Sequence, residues 1–167
     1  RQGGDTDPVV LARVAHAYTA LGRVDQAALN YRRAADGDST WADQGAVDLM
    51  HLARQAEARG DRFLMATAVS RALELKPGLG LGDMALPLAR HFFRNGEYGR
   101  ALPLYQKALV RNDTTPDVLF EVGQAYQEIG DCAQGLFFFE RFREVAARSR
   151  RSDAAWYIGT CSYEQAR

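Results

Sequence analysis

The sequence predicts an all-α protein of stacked helical hairpins, and three observations support this. Apolar residues recur three or four positions apart, and no stretch alternates apolar and polar residues long enough to form a strand. The helical segments are separated by short breaks, each centred on a glycine that can adopt the left-handed conformation of a helix C-cap. These glycines lie 38, 36 and 34 residues apart, at Gly22, Gly60, Gly96 and Gly130. Such a period indicates a structural repeat.

Three further sets of positions keep the same register. A small residue in the first helix of each hairpin lets the second helix approach closely, and a large residue followed by a small one closes most second helices. Because a single hairpin cannot bury its own apolar face, we expect the hairpins to stack. The sets are Ala15, Ala53, Ala89, Gly123 and Gly159; Tyr31, Val69, Tyr105 and Phe139; and Ala34, Ala72, Ala108 and Phe142.

With these markers in place, the sequence resembles the tetratricopeptide repeat (TPR) family, whose unit is a 34-residue helical hairpin. The resemblance implies an all-α, right-handed superhelical solenoid of antiparallel helix pairs, forming one domain over residues 1–167. The chain starts without Met and stops within a repeat, so we expect it to be a fragment of a longer protein. The repeats are residues 8–41, 46–79, 82–115 and 116–149, with a partial repeat over 152–167.

Some positions depart from the family pattern. Gly135 and Phe142 replace alanines, which predicts loose or unusual packing of the second helix of the fourth repeat. Pro87 and Pro103 fall within predicted helices, where a missing N–H normally kinks the backbone. Four inserted residues at 42–45 are expected to alter the stacking locally.

The charge balance excludes some functions. Twenty-one basic residues equal twenty-one acidic ones, so no net field draws the chain to nucleic acid. No apolar run approaches the roughly 20 residues of a membrane span, so this segment is not expected to insert into a membrane. The compartment stays open between the cytoplasm and the bacterial periplasm or outer membrane.

Candidate catalytic and metal-binding groups are scattered. The three histidines, His16, His51 and His91, show neither an HExxH spacing nor a nearby cysteine cluster. The Gly-rich stretch 78–82 follows a predicted helix, whereas a dinucleotide-binding loop follows a strand. We therefore predict no enzyme activity, no cofactor and no metal.

The two cysteines are too few for a disulfide framework and lack the spacing of zinc ligands. Cys132 is predicted at the start of one helix and Cys161 in the middle of the next. Both fall at the same end of adjacent hairpins, which permits a disulfide without establishing one.

The resemblance also implies a binding surface, because the first helices of such repeats line a concave groove that holds peptides. Here its cations are the arginines of the first three repeats, whereas five carboxylates beyond them face no base. This segregation predicts a partner with an acidic segment. The open end of the last helix, with its aromatic residues, is the alternative surface, and ordinary solvated helix surface remains a further interpretation. The candidates are Arg13, His16, Met50, His51, Arg54, Arg90, Phe93, Arg94, Phe120, Gln124, Trp156, Tyr157 and Tyr163.

The function predicted from these patterns is a non-catalytic adaptor or scaffold that binds a protein or peptide. The carboxylate clamp of chaperone-binding members is absent, because the corresponding positions carry residues such as Ala12 and Asp83. Two alternatives remain: an interaction region of a larger enzyme, and a bacterial envelope lipoprotein of pilus or outer-membrane assembly. Nucleic-acid binding is disfavoured by the neutral charge.

Overall fold

The computed structural model describes residues 7–112 and 114–166, and the predicted domain range also includes residues 1–6, 113 and 167, which lie outside them. The described residues form nine α-helices and two short 3-10 helices, with no strand among them. The prediction of an all-α chain is therefore confirmed. Two compact units divide the chain, Arg1–Met84 and Ala85–Arg167.

The first unit consists of two helical hairpins. Within it, each helix packs against its hairpin partner, and the second hairpin contacts both helices of the first. Its elements are α1 (Pro8–Ala20), α2 (Val24–Gly37), α3 (Thr40–Ala58), α4 (Arg62–Leu75) and a 3-10 helix (Gly82–Met84).

The second unit contains two hairpins and one additional helix. The α7–α8 hairpin packs against α6, and the last helix packs on α8 and, less extensively, on α7. Its elements are α5 (Ala85–Arg94), α6 (Tyr98–Val110), α7 (Pro116–Glu128), α8 (Cys132–Val145), a 3-10 helix (Arg148–Ala154) and α9 (Ala155–Gln165). Within each unit, consecutive antiparallel hairpins stack as expected of a helical solenoid.

The four hairpin turns repeat one hydrogen-bond pattern. At the first, Gly22 has a φ of +69°, and the N–H of Arg23 donates to the carbonyl of Tyr18 at 2.9 Å. This bond satisfies a carbonyl that the end of the helix would otherwise leave unpaired. A side chain at the glycine would strain this left-handed backbone, which explains why the glycine recurs in the sequence. The other three turns contain Gly60, Gly96 and Gly130, each with positive φ.

The fourth repeat was expected to pack loosely or unusually; loose packing is wrong, because the second helix packs tightly, in an arrangement that depends on glycine. Phe142 is fully buried. A Cβ at Gly123 would lie 2.8 Å from the ring of Phe139, and one at Gly135 would lie 3.3 Å from the carbonyl oxygen of Gly123. Glycine lets α7 and α8 approach closely. The ring of Phe139 takes the space that an alanine methyl group at position 123 would fill.

Two other departures are accommodated locally. Pro87 lies in the first turn of α5, where a helix needs no N–H donor, so the predicted interior proline is found only at Pro103 of α6. The inserted residues 42–45 lengthen α3, which begins at Thr40. The insertion therefore adds helix at the N-terminus of α3.

Candidate functional site

Two open cavities adjoin on the face shared by α1 and α3 in the first unit. Their volumes are about 490 and 470 Å³, and His16 and Asp48 line both of them. Arg13 and Trp41 border the first cavity, and Val47 borders the second. We call this pair of cavities the α1–α3 cleft.

Asp48 is the polar centre of the α1–α3 cleft. Its Oδ2 accepts from the Tyr31 hydroxyl and lies 2.9 Å from Nδ1 of His16, while Oδ1 accepts from Nε2 of Gln44 at 2.8 Å. The contacts join three helices, because Tyr31 comes from α2 and His16 from α1. The side chain of Asp48 is only 13% exposed, so these donors replace most of the water that a carboxylate requires.

The hydrogen bonds change the proton affinities of this centre. Burial tends to raise the pKa of Asp48, but the hydrogen bonds from His16, Tyr31 and Gln44 outweigh it and hold the pKa below its ordinary value of 3.8. Burial raises the pKa of the Tyr31 hydroxyl, and its bond to the Asp48 carboxylate raises it further. At neutral pH the centre therefore contains an ionised carboxylate and a neutral phenol.

This pKa predicts acid sensitivity of the first unit. Because the folded pKa of Asp48 is depressed, its stabilising contribution is complete above about pH 4 and is lost as the pH falls through the folded pKa. Asp48→Asn should cost about 1–2 kcal/mol near neutral pH and flatten the loss of stability below pH 4. Chemical denaturation followed by circular dichroism from pH 7 to 2.5 measures both. The control is Asp43→Asn on the same helix, whose exposed carboxylate pairs with Lys76; an equal flattening in this variant would contradict the assignment.

The predicted residues of the first unit have different environments. Arg13 is exposed and makes no ion pair with the described residues, whereas Nε of Arg54 lies 3.2 Å from Asp83. His51 is exposed, with its Nε2 2.9 Å from the Gln55 amide. Met50 was expected to contact a partner, but it is 4% exposed and belongs to the core. Met50 is buried because the face of α3 on which it lies is turned towards the neighbouring helices.

In the second unit, Arg90 is held by an internal carboxylate. Its Nε donates to both oxygens of Glu121, at 3.0 and 3.2 Å, and Glu121 also accepts from the Tyr105 hydroxyl at 2.8 Å. Burial raises the pKa of Tyr105, and the neighbouring Glu121 charge adds to the shift. Arg94 is exposed, while Phe93 packs edge-on against the rings of Tyr98 and Tyr105.

The expectation that the carboxylates beyond the third repeat face no base is wrong. Glu121 binds Arg90, and Asp117 lies 2.6 Å from Arg150, which is also 3.4 Å from Asp153. Arg150 lies in the 3-10 helix before α9, outside the groove positions of the first helices. The carboxylates and cations of successive repeats therefore pair with each other.

The aromatic residues near the last helix also divide into packed and exposed groups. Tyr157 stacks on Phe139, lies edge-on to Phe120, and accepts from the Gln124 amide at 2.7 Å. It therefore belongs to a packed cluster, contrary to the expectation of an open face. Trp156 and Tyr163 are 68% and 65% exposed.

Sequence reasoning missed Asp48, and it placed Glu121 on the groove without predicting its internal pairing. Tyr31 and Tyr105 occupy equivalent repeat positions, and each donates to a carboxylate 17 or 16 residues later, Asp48 or Glu121. A tyrosine followed at that distance by an acidic residue is the signal that was available. It was overlooked because the two acids occupy different turns of their helices.

One cluster contains metal-ligand chemistry. The sulfur atoms of Cys132 and Cys161 and a carboxylate oxygen of Glu164 lie within 4.8 Å of one another. The two sulfurs are joined in a disulfide, with the Cα atoms 5.2 Å apart. In this form they are not thiolates, which are the form that binds zinc. Among the described residues no helix is both long and apolar enough to span a membrane.

Comparison with known proteins identifies the fold. No family model matches the sequence, and no curated protein matches it. Among solved structures, the chain is similar to YrrB, described as a TPR protein with an unusual peptide-binding site. YrrB is 19% identical, with a TM-score of 0.54 over 97% of this chain and 80% of that chain. The likeness establishes a TPR-like helical-repeat fold.

MamA structures show the same likeness. MamA of AMB-1 is 20% identical, with a TM-score of 0.56 over 96% of this chain and 89% of that chain. MamA of MSR-1 is also 20% identical, with a TM-score of 0.53 over 95% of this chain and 86% of that chain.

Proposed function

We propose that this chain is a non-catalytic adaptor that binds an extended segment of a partner protein in the α1–α3 cleft. The observation that carries the proposal is the pair of adjoining cavities on either side of the His16–Asp48 contact. Two cavities along one helix face suit side chains that project from an extended peptide. The peptide-binding site named for the structural neighbour YrrB supports the same type of activity.

The walls of the α1–α3 cleft define the chemistry of the partner. Val9 and Trp41 provide apolar surface in the first cavity. The indole N–H of Trp41 is buried and has no acceptor within the described part of the chain, so it adds no polar contact to the cavity. Arg13, exposed at the same cavity, is free to grip a carboxylate through its planar guanidinium group. The partner segment therefore combines an apolar side chain with a neighbouring acidic one.

Binding of fluorescent ten-residue peptides, measured by anisotropy, tests this proposal. The peptides alternate apolar and acidic residues, and a matched set replaces each acid by its amide. Arg13→Ala should weaken binding of the acidic peptides about ten-fold, equivalent to about 1.4 kcal/mol, and leave the amide set nearly unchanged. Val47→Trp should reduce binding of both sets, because a larger exposed side chain fills the second cavity.

Arg62→Ala is the matched control for charge, since Arg62 is exposed on α4 and lines neither cavity. Equal weakening by Arg13→Ala and Arg62→Ala would show that only net charge matters. Binding that survives Val47→Trp would place the peptide elsewhere.

A second surface is the exposed aromatic pair on α9, Trp156 and Tyr163. Large aromatic side chains that project into solvent are frequent at protein interfaces. Trp156→Ala distinguishes the two surfaces: it should not affect a peptide in the α1–α3 cleft, whereas loss of binding in this variant alone would assign the interaction to α9.

A further inference from the structure

Helix α9 is attached to the second unit by few buried side chains. Among its described side chains only Cys161 is fully buried, while Tyr157 and Ile158 are half-buried and most others are exposed. A helix of 11 residues is marginal by itself in water. The attachment of α9 therefore depends strongly on the contacts around Cys161.

A disulfide lies at this point of attachment. It joins Cys161 to Cys132, the first residue of α8, across 29 residues of sequence. We propose that this disulfide is a redox switch for the attachment of α9: reduction releases α9 from the α7–α8 hairpin and uncovers the aromatic surface beneath it.

The surface beneath α9 is apolar and aromatic. Phe139 is fully buried, with the ring of Tyr157 stacked on it at a centroid distance of 5.1 Å. Phe120 makes an edge-on contact with the same Tyr157 ring at 5.4 Å. Departure of α9 removes Tyr157 from both rings and breaks its hydrogen bond with Gln124. The reduced form, with α9 released, therefore differs from the oxidised form in exposed aromatic area as well as in the order of α9.

The disulfide restricts the detached ensemble of α9. With the bond intact, α9 remains tethered beside α8 even when its packing opens, which limits the entropy gained on detachment. After reduction this restriction is lost, and only non-covalent packing holds the helix. The closed loop of 29 residues is long enough for the effect to be substantial.

The covalent step requires a dithiol reductant. A thiolate of the dithiol attacks one sulfur of the Cys132–Cys161 bond, and the other cysteine leaves as a thiolate. The second thiol of the dithiol then attacks the reductant's own sulfur in the mixed disulfide, and the remaining cysteine leaves as a thiolate. Two electrons and two protons pass to the protein, and the dithiol becomes a disulfide. Cys132 is slightly more exposed than Cys161, and its sulfur lies 3.2 Å from a Glu164 carboxylate oxygen.

Hydrogen–deuterium exchange of the full chain, with and without a dithiol, tests whether reduction releases α9. Thiol titration first confirms that the bond has been reduced. We expect the α9 amides to exchange at least about ten-fold faster after reduction, while α1–α4 remain unchanged. Binding of a hydrophobic dye should rise in parallel as Phe120 and Phe139 are uncovered.

The Cys132→Ser/Cys161→Ser variant provides the second measurement, because it lacks the bond under all conditions. It should show the fast exchange of α9 with or without dithiol. Unchanged α9 protection in the fully reduced protein, or in the double variant, would overturn the proposal. Equal acceleration in every helix of the second unit would also overturn it, because the disulfide would then stabilise the whole unit.

Discussion

Replacing Gly45 with alanine is expected to destabilise the first unit by about 1–3 kcal/mol, a typical cost of overpacking. The added Cβ would lie 2.5 Å from Cγ of Tyr31 and 2.8 Å from its Cβ. Tyr31 is 1% exposed and its hydroxyl is bonded to Asp48, so the ring cannot move aside without disturbing the centre of the α1–α3 cleft. The higher helix propensity of alanine, about 1 kcal/mol, offsets only part of this cost.

The measurement is the thermal midpoint by circular dichroism, with Gly99→Ala as the control. Gly99 lies on the exposed side of α6, and a Cβ there meets nothing within 4 Å. The control should therefore lose no stability and gain at most about 0.5–1 kcal/mol through helix propensity. A Gly45→Ala variant as stable as the control would contradict the close approach of α3 to Tyr31.

Replacing Arg90 with alanine is expected to destabilise the second unit by about 2–3 kcal/mol, because it leaves the Glu121 charge partly buried without its cation. The side chains of Arg90 and Glu121 are 32% and 22% exposed, so solvent screens part of the effect and the cost lies below that of a fully buried pair. The Tyr105 hydroxyl alone would then remain bonded to Glu121. Urea denaturation of the variant measures the loss.

Arg54→Ala is the matched comparison, because Arg54 also pairs with a carboxylate but both partners are about half exposed, at 47% and 59%. Its cost should stay below about 1 kcal/mol. Adding Glu121→Gln to Arg90→Ala should recover part of the lost stability, since it removes the uncompensated charge. A second unit that tolerates Arg90→Ala as well as the first tolerates Arg54→Ala would contradict this account.

These ion pairs change which arginines are available to contact a partner. From sequence, Arg54 and Arg90 belonged with Arg13 and Arg94 in one set of cations facing a partner. Arg54 and Arg90 are paired internally, whereas Arg13 and Arg94 are exposed and make no ion pair with the described residues. A change at Arg90 would therefore act on the stability of the second unit, and Arg13, which lines the α1–α3 cleft, is the test of recognition.

The sequence by itself determined the helical class, the hairpin turns and the small residues at helix crossings. These features follow from local rules: the spacing of apolar residues, the left-handed backbone that glycine tolerates at Gly22 and its equivalents, and the volume available at Ala53 and Ala89. Each rule acts within one helix or one hairpin. The repeat period then makes each local feature visible several times.

The tertiary structure decided which polar groups meet. Asp48 collects donors from α1, α2 and its own helix, Glu121 pairs with an arginine 31 residues earlier, and Cys132 is bonded to Cys161. Such contacts depend on the rotation and separation of neighbouring helices within each unit. The periodicity of apolar residues specifies neither of these closely. Burial decided the rest: Met50 and Tyr157 pack against their neighbours because apolar area is removed from water wherever two helix faces touch.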